Sequence, residues 1–174
     1  MTVASPATTS RRRLRPTAAR ALVALLVVAA VAAGVFSAVQ LRGTDSRQED
    51  RDALLSTARQ AAVAFTSYDH TDLDGSFAAV LALSTNDFSK QFRAASDQLR
   101  PIILDKKASA KGEVLGVGIE HYEQGDDTAT VLVATDATVT NSEFPKGALQ
   151  RFRLRVTLQR GDAAWRVDEI TPVV

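Results

Sequence analysis

The chain shows three successive hydrophobic patterns. Residues 21–41, ALVALLVVAAVAAGVFSAVQL, carry no charge, and only Ser37 and Gln40 are polar. At 1.5 Å per residue this run reaches roughly 30 Å, the thickness of a bilayer core, and predicts a transmembrane helix. Soluble helices are rarely apolar around their whole circumference for this length. From Asp45 to Thr66 the period becomes helical, with Leu54, Ala58, Ala61, Ala62 and Phe65 on one face. The stretch TSYDHTDLDGSF, Thr66 to Phe77, breaks the helix. A short helix is expected from about Gly75 to Leu83, with Phe77, Val80, Leu81 and Leu83 as its apolar side. Ser84, Thr85 and Asn86 are all good N-caps for a third helix, and Asp87 suits its first turn. Phe88, Phe92, Ala95, Leu99, Ile102 and Ile103 form the stripe of that helix, and Pro101 is expected to kink or shorten it. KKASAKG reads as a solvated exit.

After Gly112 the period becomes two. Leu115, Val117 and Ile119 alternate in one segment, and Ala129, Val131 and Val133 in the next, with EQGDD as the turn between them. NSEFPKG is a longer connection. RFRLRVTLQ places Phe152, Leu154, Val156 and Leu158 on one face and Arg151, Arg153 and Arg155 on the other. A two-residue Gly161-Asp162 turn would then pair Leu158 with Trp165, Val156 with Val167 and Arg155 with Asp168, with the register changing near Glu169. Helices followed by antiparallel strands predict an α+β domain. Four strands with one apolar face need a cover, and the amphipathic helices supply it. A cone-like domain is expected, with helices packed on a curved antiparallel sheet.

Composition and charge add a topology. Arg11, Arg12, Arg13, Arg15 and Arg20 precede the apolar run with no acid among them, whereas from Arg42 onward 16 Lys/Arg face 20 Asp/Glu, a net of −4. The positive-inside rule puts residues 1–20 in the cytoplasm as a basic tail and residues 42–174 outside, with helices over 45–108 and strands over 113–172. A cleaved signal peptide is the rival reading. The run exceeds the usual h-region and ends in SAVQLRG without a small-x-small site, which favours a retained single-pass anchor in the cell membrane. Within it Ala29, Ala33, Ala30 and Gly34 form two small-xxx-small pairs that permit helix packing, Ala30 with Gly34 above all. The acidic outer part gives nucleic acid no electrostatic footing. The absence of cysteine removes disulfides, thiolate zinc sites and cysteine nucleophiles.

The order of anchor, polar helix, ARQAAVAFTSYDH, VLALSTNDFSKQF, TATVLVATDATVTN and RFRLRVTLQRGDAAWRVDEI resembles the Mce-associated membrane proteins of actinobacteria. FTSYDH, LSTNDF and the terminal WRVDEI are the most specific pieces. The resemblance covers about Arg51 to the C-terminus. It implies a nuclear-transport-factor/cystatin-like outer domain, shared with the bitopic periplasmic subunit of type IV secretion systems. It also implies a non-enzymatic accessory role in assembly or stability of an Mce-type lipid import complex, with transporter subunits and membrane lipid as partners and no cofactor. Two other readings are a small-lipid binder using the cone interior and an assembly subunit of another envelope machine. A large apolar cavity behind the sheet would favour the lipid binder, and a filled core the assembly roles.

Candidate chemistry is sparse. Taken as a calcium loop, HTDLDG places His70 at position one and Leu81 at position twelve, where a bidentate Glu is required, so no metal is expected. A helix–helix corner accounts for every residue of the stretch, with Asp72 or Asp74 as a cap. An enzyme in such a cone needs a buried acid or phenol, and Tyr68, Asp69, Tyr122 and Asp136 are the suppliers. Asp136 is expected to face solvent. No nucleophile elbow occurs, and no catalytic residue is assigned. The face of Arg151, Arg153 and Arg155 is the candidate partner surface. A solvated strand face and an anionic lipid headgroup site are its other readings.

Overall fold

The computed structural model describes residues 47–173. The basic tail, the apolar run and the Ala30/Gly34 pair lie outside the described residues, and among the described residues no helix is long and apolar enough to cross a membrane. Among the described residues three helices precede four strands. Helix α1 runs through residues 47–66, α2 is Leu73–Leu81 and α3 is Asn86–Lys106. Strands β1 (Ser109–His121), β2 (Thr128–Thr140), β3 (Ala148–Arg160) and β4 (Trp165–Pro172) form one antiparallel meander in the order β1-β2-β3-β4.

The sheet packs on α1. Leu54, Ala58, Ala61 and Ala62 are at most 1% exposed and share the core with Val131, Val133, Leu154, Val156 and Leu158. Small side chains on that helical face let the two backbones approach. At Gly112 of β1 a Cβ would overlap the Thr66 hydroxyl, which donates to Ala62 O at 2.7 Å. The missing side chain at Gly112 thus lets β1 lie directly against the end of α1.

Local chemistry sets the helix ends. Asp72 caps α2, its carboxylate accepting from Gly75 N at 3.0 Å, so the helix starts two residues earlier than expected and buries Leu73. Leu83 lies past its end yet still packs on the core. Thr85 caps α3 by accepting from Phe88 N at 3.2 Å. Pro101 does not end α3, which continues to Lys106. Pro101 and Asp97, one turn before it, are both exposed, so the missing N–H falls on the outer side of the helix. Lys107 closes the helix in the left-handed region, φ 47°.

Three expectations about the strands are corrected. First, β1 begins at Ser109 rather than 113. Tyr68 and Ala110 exchange N–H···O bonds of 3.0 and 2.8 Å across its outer edge, so KKASAKG is not a solvated exit. Second, Leu115 does not face inward. The register shifts between Val114 and Gly116, and this bulge leaves Leu115 61% exposed while Val114, Val117 and Ile119 pack on the core. Third, the β3–β4 loop is Gly161–Ala164, so Leu158 opposes Val167 and Arg160 opposes Trp165. A slip of two residues keeps the same faces inward, and Trp165 remains buried at 4%. An irregularity beside Thr157 leaves Asp168 out of the pairing and restores Val156 opposite Ile170. Asp168 accepts from the Thr85 hydroxyl at 2.9 Å instead of meeting Arg155. The outer edge of β4 is covered by the α2–α3 connection, where Val167 N donates to Leu83 O (2.8 Å) and Thr85 N to Val167 O (2.7 Å).

Candidate functional site

The alternation of β3 places Arg151, Arg153 and Arg155 on the sheet face away from α1, all three exposed. Their surroundings differ. Arg155 forks onto Glu120 of β1, with Nε–Oε2 at 2.7 Å and Nη2–Oε1 at 2.8 Å, and this bond holds the Glu120 carboxyl below its ordinary range. Arg153 donates to Phe152 O at 3.1 Å, and neither it nor Arg151 makes an ion pair among the described residues. Asp136 is the cross-strand neighbour of Arg151. Its Oδ1 is buried without a hydrogen bond, so it is less open to solvent than expected. Beside the arginines lies a shallow trough of about 270 Å³ walled by Gly116, Gly118, Leu132, Ala134, Arg153 and Val173. A Cβ at Gly116 or Gly118 would touch nothing within 4 Å, and Leu132 is 39% exposed. This face therefore combines a smooth apolar floor with a guanidinium that no acid among the described residues holds. The arginine alternation was visible in the sequence and the trough was not. The signal that could have found it is GVG, whose two glycines share a face with Leu132 and Ala134 once β1 is in register.

The structure scatters the residues weighed for chemistry. Tyr68 and Asp69 line an open recess of about 1020 Å³ against α1 and β1, Tyr122 lies just past β1, and Asp136 is on the opposite sheet face. Asp69, His70 and Ser109 do meet. His70 Nδ1 lies 2.9 Å from Ser109 Oγ and 3.6 Å from Asp69 Oδ1, while Ser109 Oγ donates to the same Asp69 oxygen at 3.2 Å. Both neighbours sit on one ring nitrogen. A triad needs the acid on one nitrogen and the nucleophile on the other. The Asp69 oxygen is further occupied by the Thr71 N–H and hydroxyl, each at 2.9 Å, and these bonds, the N–H first, keep its carboxyl below the ordinary range. The three residues tie the α1–α2 corner to the start of β1. No group of three or more potential metal ligands occurs among the described residues.

One cluster escaped the sequence reading. Asp50 of α1 receives Arg160 Nη1 and Nη2 at 2.9 and 2.8 Å, Trp165 Nε1 at 3.1 Å and the Tyr122 hydroxyl. The Arg160 guanidinium lies 4.3 Å from the Trp165 ring centre, and Tyr122 meets that ring edge-on at 5.6 Å. The Arg160 bond leads in holding the Asp50 carboxyl well below the carboxylate range, and the bond to Asp50 raises the Tyr122 phenol. The cluster joins the first described turn of α1 to the ends of β1 and β3 and the start of β4. Asp50 lies in the polar stretch DSRQEDRD, a segment whose composition points only to solvent.

Comparison with known proteins gives this architecture relatives. A family model described as Uncharacterized protein Rv1363c/MT1408-like matches residues 15–173. In Mycobacterium tuberculosis H37Rv, Uncharacterized protein Rv1363c is 26% identical over 166 residues, 92% of this chain and 63% of the relative. Uncharacterized protein Rv1362c is 26% identical over 156 residues, 87% and 69% respectively. The chain thus spans just under two thirds of the length of the first. The periplasmic domain of DotI has a TM-score of 0.60 at 17% identity, with 70% of this chain and 94% of that one covered. CagV, a VirB8 homolog of a type IV secretion system from Helicobacter pylori, gives 0.55 at 9% identity, covering 70% and 97%. An IcmL-like type IV secretion system protein from Legionella pneumophila gives 0.57 at 11%, covering 72% and 94%. At these identities the likeness shows the fold alone: an α+β domain with helices on a four-stranded antiparallel sheet, as expected.

Proposed function

The chain belongs to the Rv1363c/MT1408-like family, and on that premise we propose that it is a non-enzymatic accessory protein of a cell-envelope complex, whose outer domain docks a partner subunit. The observation that carries this reading is the outer sheet face. Its apolar trough adjoins Arg151, Arg153 and Arg155, and Arg153 makes no ion pair among the described residues. Interface centres favour arginine, whose planar fork matches a carboxylate, and smooth apolar floors that exclude water. The fold supports the reading by analogy, since solved structures of this shape include a periplasmic domain and type IV secretion proteins. Residues 21–41 supply the anchor in this proposal, with the N-terminus cytoplasmic and the domain outside. The resemblance to Mce-associated proteins names the finer candidate, an Mce-type lipid import complex.

Replacing Arg151, Arg153 and Arg155 together with glutamine tests the docking face. The thermal midpoint is expected to stay near that of the parent, because exposed ion pairs contribute only ~0–1 kcal/mol each. Recovery of envelope proteins by affinity capture from membranes is expected to fall. Unchanged recovery with a well-folded triple variant refutes the docking face, and identification of the captured proteins decides whether the complex is of the Mce type.

A further inference from the structure

We propose that the recess between the C-terminal end of α1, α2 and the second half of α3 binds a single acyl chain ending in a carboxylate. The recess is separate from the arginine face and does not depend on the docking role. It holds about 400 Å³, within the range of small-molecule sites. Phe65, Phe77, Phe92, Leu99, Ile102 and Ile103 line it. Phe92 organises the aromatic part, with Phe77 edge-on at 5.8 Å and Phe65 at 6.4 Å. The apolar stripe of α3 continues past the point where the core ends at Ser96. Leu99 and Ile102 are 53% and 58% exposed, so the domain leaves more than half of each side chain uncovered. Isolated exposed apolar side chains are ordinary, whereas a contiguous set around a concave surface marks a binding site.

Polar groups on the wall select the ligand. Lys106 and Asn141 both line the recess. Lys106 Nζ makes one bond, to Glu143 at 2.6 Å, and an ammonium has three hydrogens to give. The Asn141 carbonyl oxygen is taken by Glu143 N and Phe144 N at 2.8 Å each, while its amide hydrogens have no acceptor among the described residues. Glu143, the acid nearest this pair, is engaged by Lys106. These two side chains therefore offer donors and lack free acceptors, the complement of a carboxylate.

The test uses the full chain in its native membranes and hexadecanoic acid carrying a photoreactive diazirine on its chain. After illumination, adducts are expected on peptides within 65–77 and 92–106, competed away by excess unlabelled acid. Leu99→Gln and Ile102→Gln change side chains that are more than half exposed, so folding is retained. Each is expected to lower adduct yield at least fivefold without changing capture of partner proteins. Lys106→Gln is expected to weaken labelling by the acid but not by its methyl ester. Adducts that resist competition, that fall only outside residues 47–173, or that persist in Ile102→Gln overturn the site. Equal labelling by a diacyl phospholipid bearing the same diazirine overturns the carboxylate assignment.

Discussion

Replacing Asp50 with alanine should be among the most damaging single changes at a partly exposed position. The carboxylate accepts from Arg160 twice, from Trp165 and from Tyr122, so its loss leaves three donor side chains facing one another. All four bonds end on an ionised carboxylate, and bonds to charged groups contribute ~1.5–3 kcal/mol each, so full burial would make their sum at least about 6 kcal/mol. The side chains of Asp50 and Arg160 retain 26% and 34% exposure, so water resolvates part of what is stranded and the cost falls to about 2–3 kcal/mol. For a domain of this size that lowers the thermal midpoint by about 8–12 °C. Trp165 is the single tryptophan of the chain, so its emission during urea unfolding reports on the cluster itself, with far-UV circular dichroism as the global measure. Asp50→Asn keeps an acceptor for the indole and phenol and should cost less. An Asp50→Ala midpoint equal to that of the parent would show that the Arg160–Trp165 stack holds this end unaided.

The same carboxylate gives the pH dependence a sign. Its native pKa lies below the ordinary 3.8, so its stabilisation is complete above that value and is lost as pH falls toward the native one. The stability gap between the parent and Asp50→Asn should be flat from pH 7 to about 5 and close only under stronger acid. A gap that opens on acidification would contradict the assignment.

Trp165→Ala should cost ~3–5 kcal/mol as a large buried aromatic. A variant that unfolds at the parental denaturant midpoint but loses its partner would move Trp165 from the core to the interface. Gly112→Ala should cost about 1–3 kcal/mol by overpacking, since the new Cβ overlaps the Thr66 hydroxyl. Thr66→Ala in the same chain should recover part of that, which a double-mutant cycle measures. Calorimetric titration with calcium and zinc should show no micromolar binding at the α1–α2 corner. Asp72 is engaged as a cap, Asp69 by Thr71 and Ser109, and Asp74 by Arg100 at 2.7 Å, so a stoichiometric isotherm lost on Asp72→Ala would refute this.

Legibility followed the range of the interactions. The helical and two-residue periods located α1, α3 and all four strands, because one-sided burial imprints its period on the sequence. The caps at Asp72 and Thr85 were among the residues named in advance, because a cap bonds within three residues. What failed depended on distant partners. The extension of β1 to Ser109 needs Tyr68, about forty residues away. The β3–β4 register is held where Arg160 and Trp165 meet Asp50, more than a hundred residues earlier. Leu115 obeys the strand pattern and is displaced by a bulge that no local residue announces. At the candidate surface, the arginines were legible from alternation alone. Their ion-pair partner was not, and Glu120 of β1 took the place expected for Asp168.

Exposure also separates what the fold requires from what it merely carries. Stability is concentrated where α1 meets the sheet, around side chains at most 4% exposed such as Leu54, Val156, Leu158 and Trp165. Truncation there removes packing that nothing replaces. Arg151 and Arg153 contribute no ion pair among the described residues, and Leu99 and Ile102 leave more than half of their surface in water, so packing among those residues accounts for none of the four. A polar surface would be cheaper at the α3 positions, since exposed apolar patches invite association. Polar residues at those α3 positions and neutral ones on β3 should therefore leave the unfolding midpoint within about 0.5 kcal/mol of the parent. Any loss of partner capture or chain labelling in such variants then reports on recognition, because the core that holds α1 against the sheet is untouched.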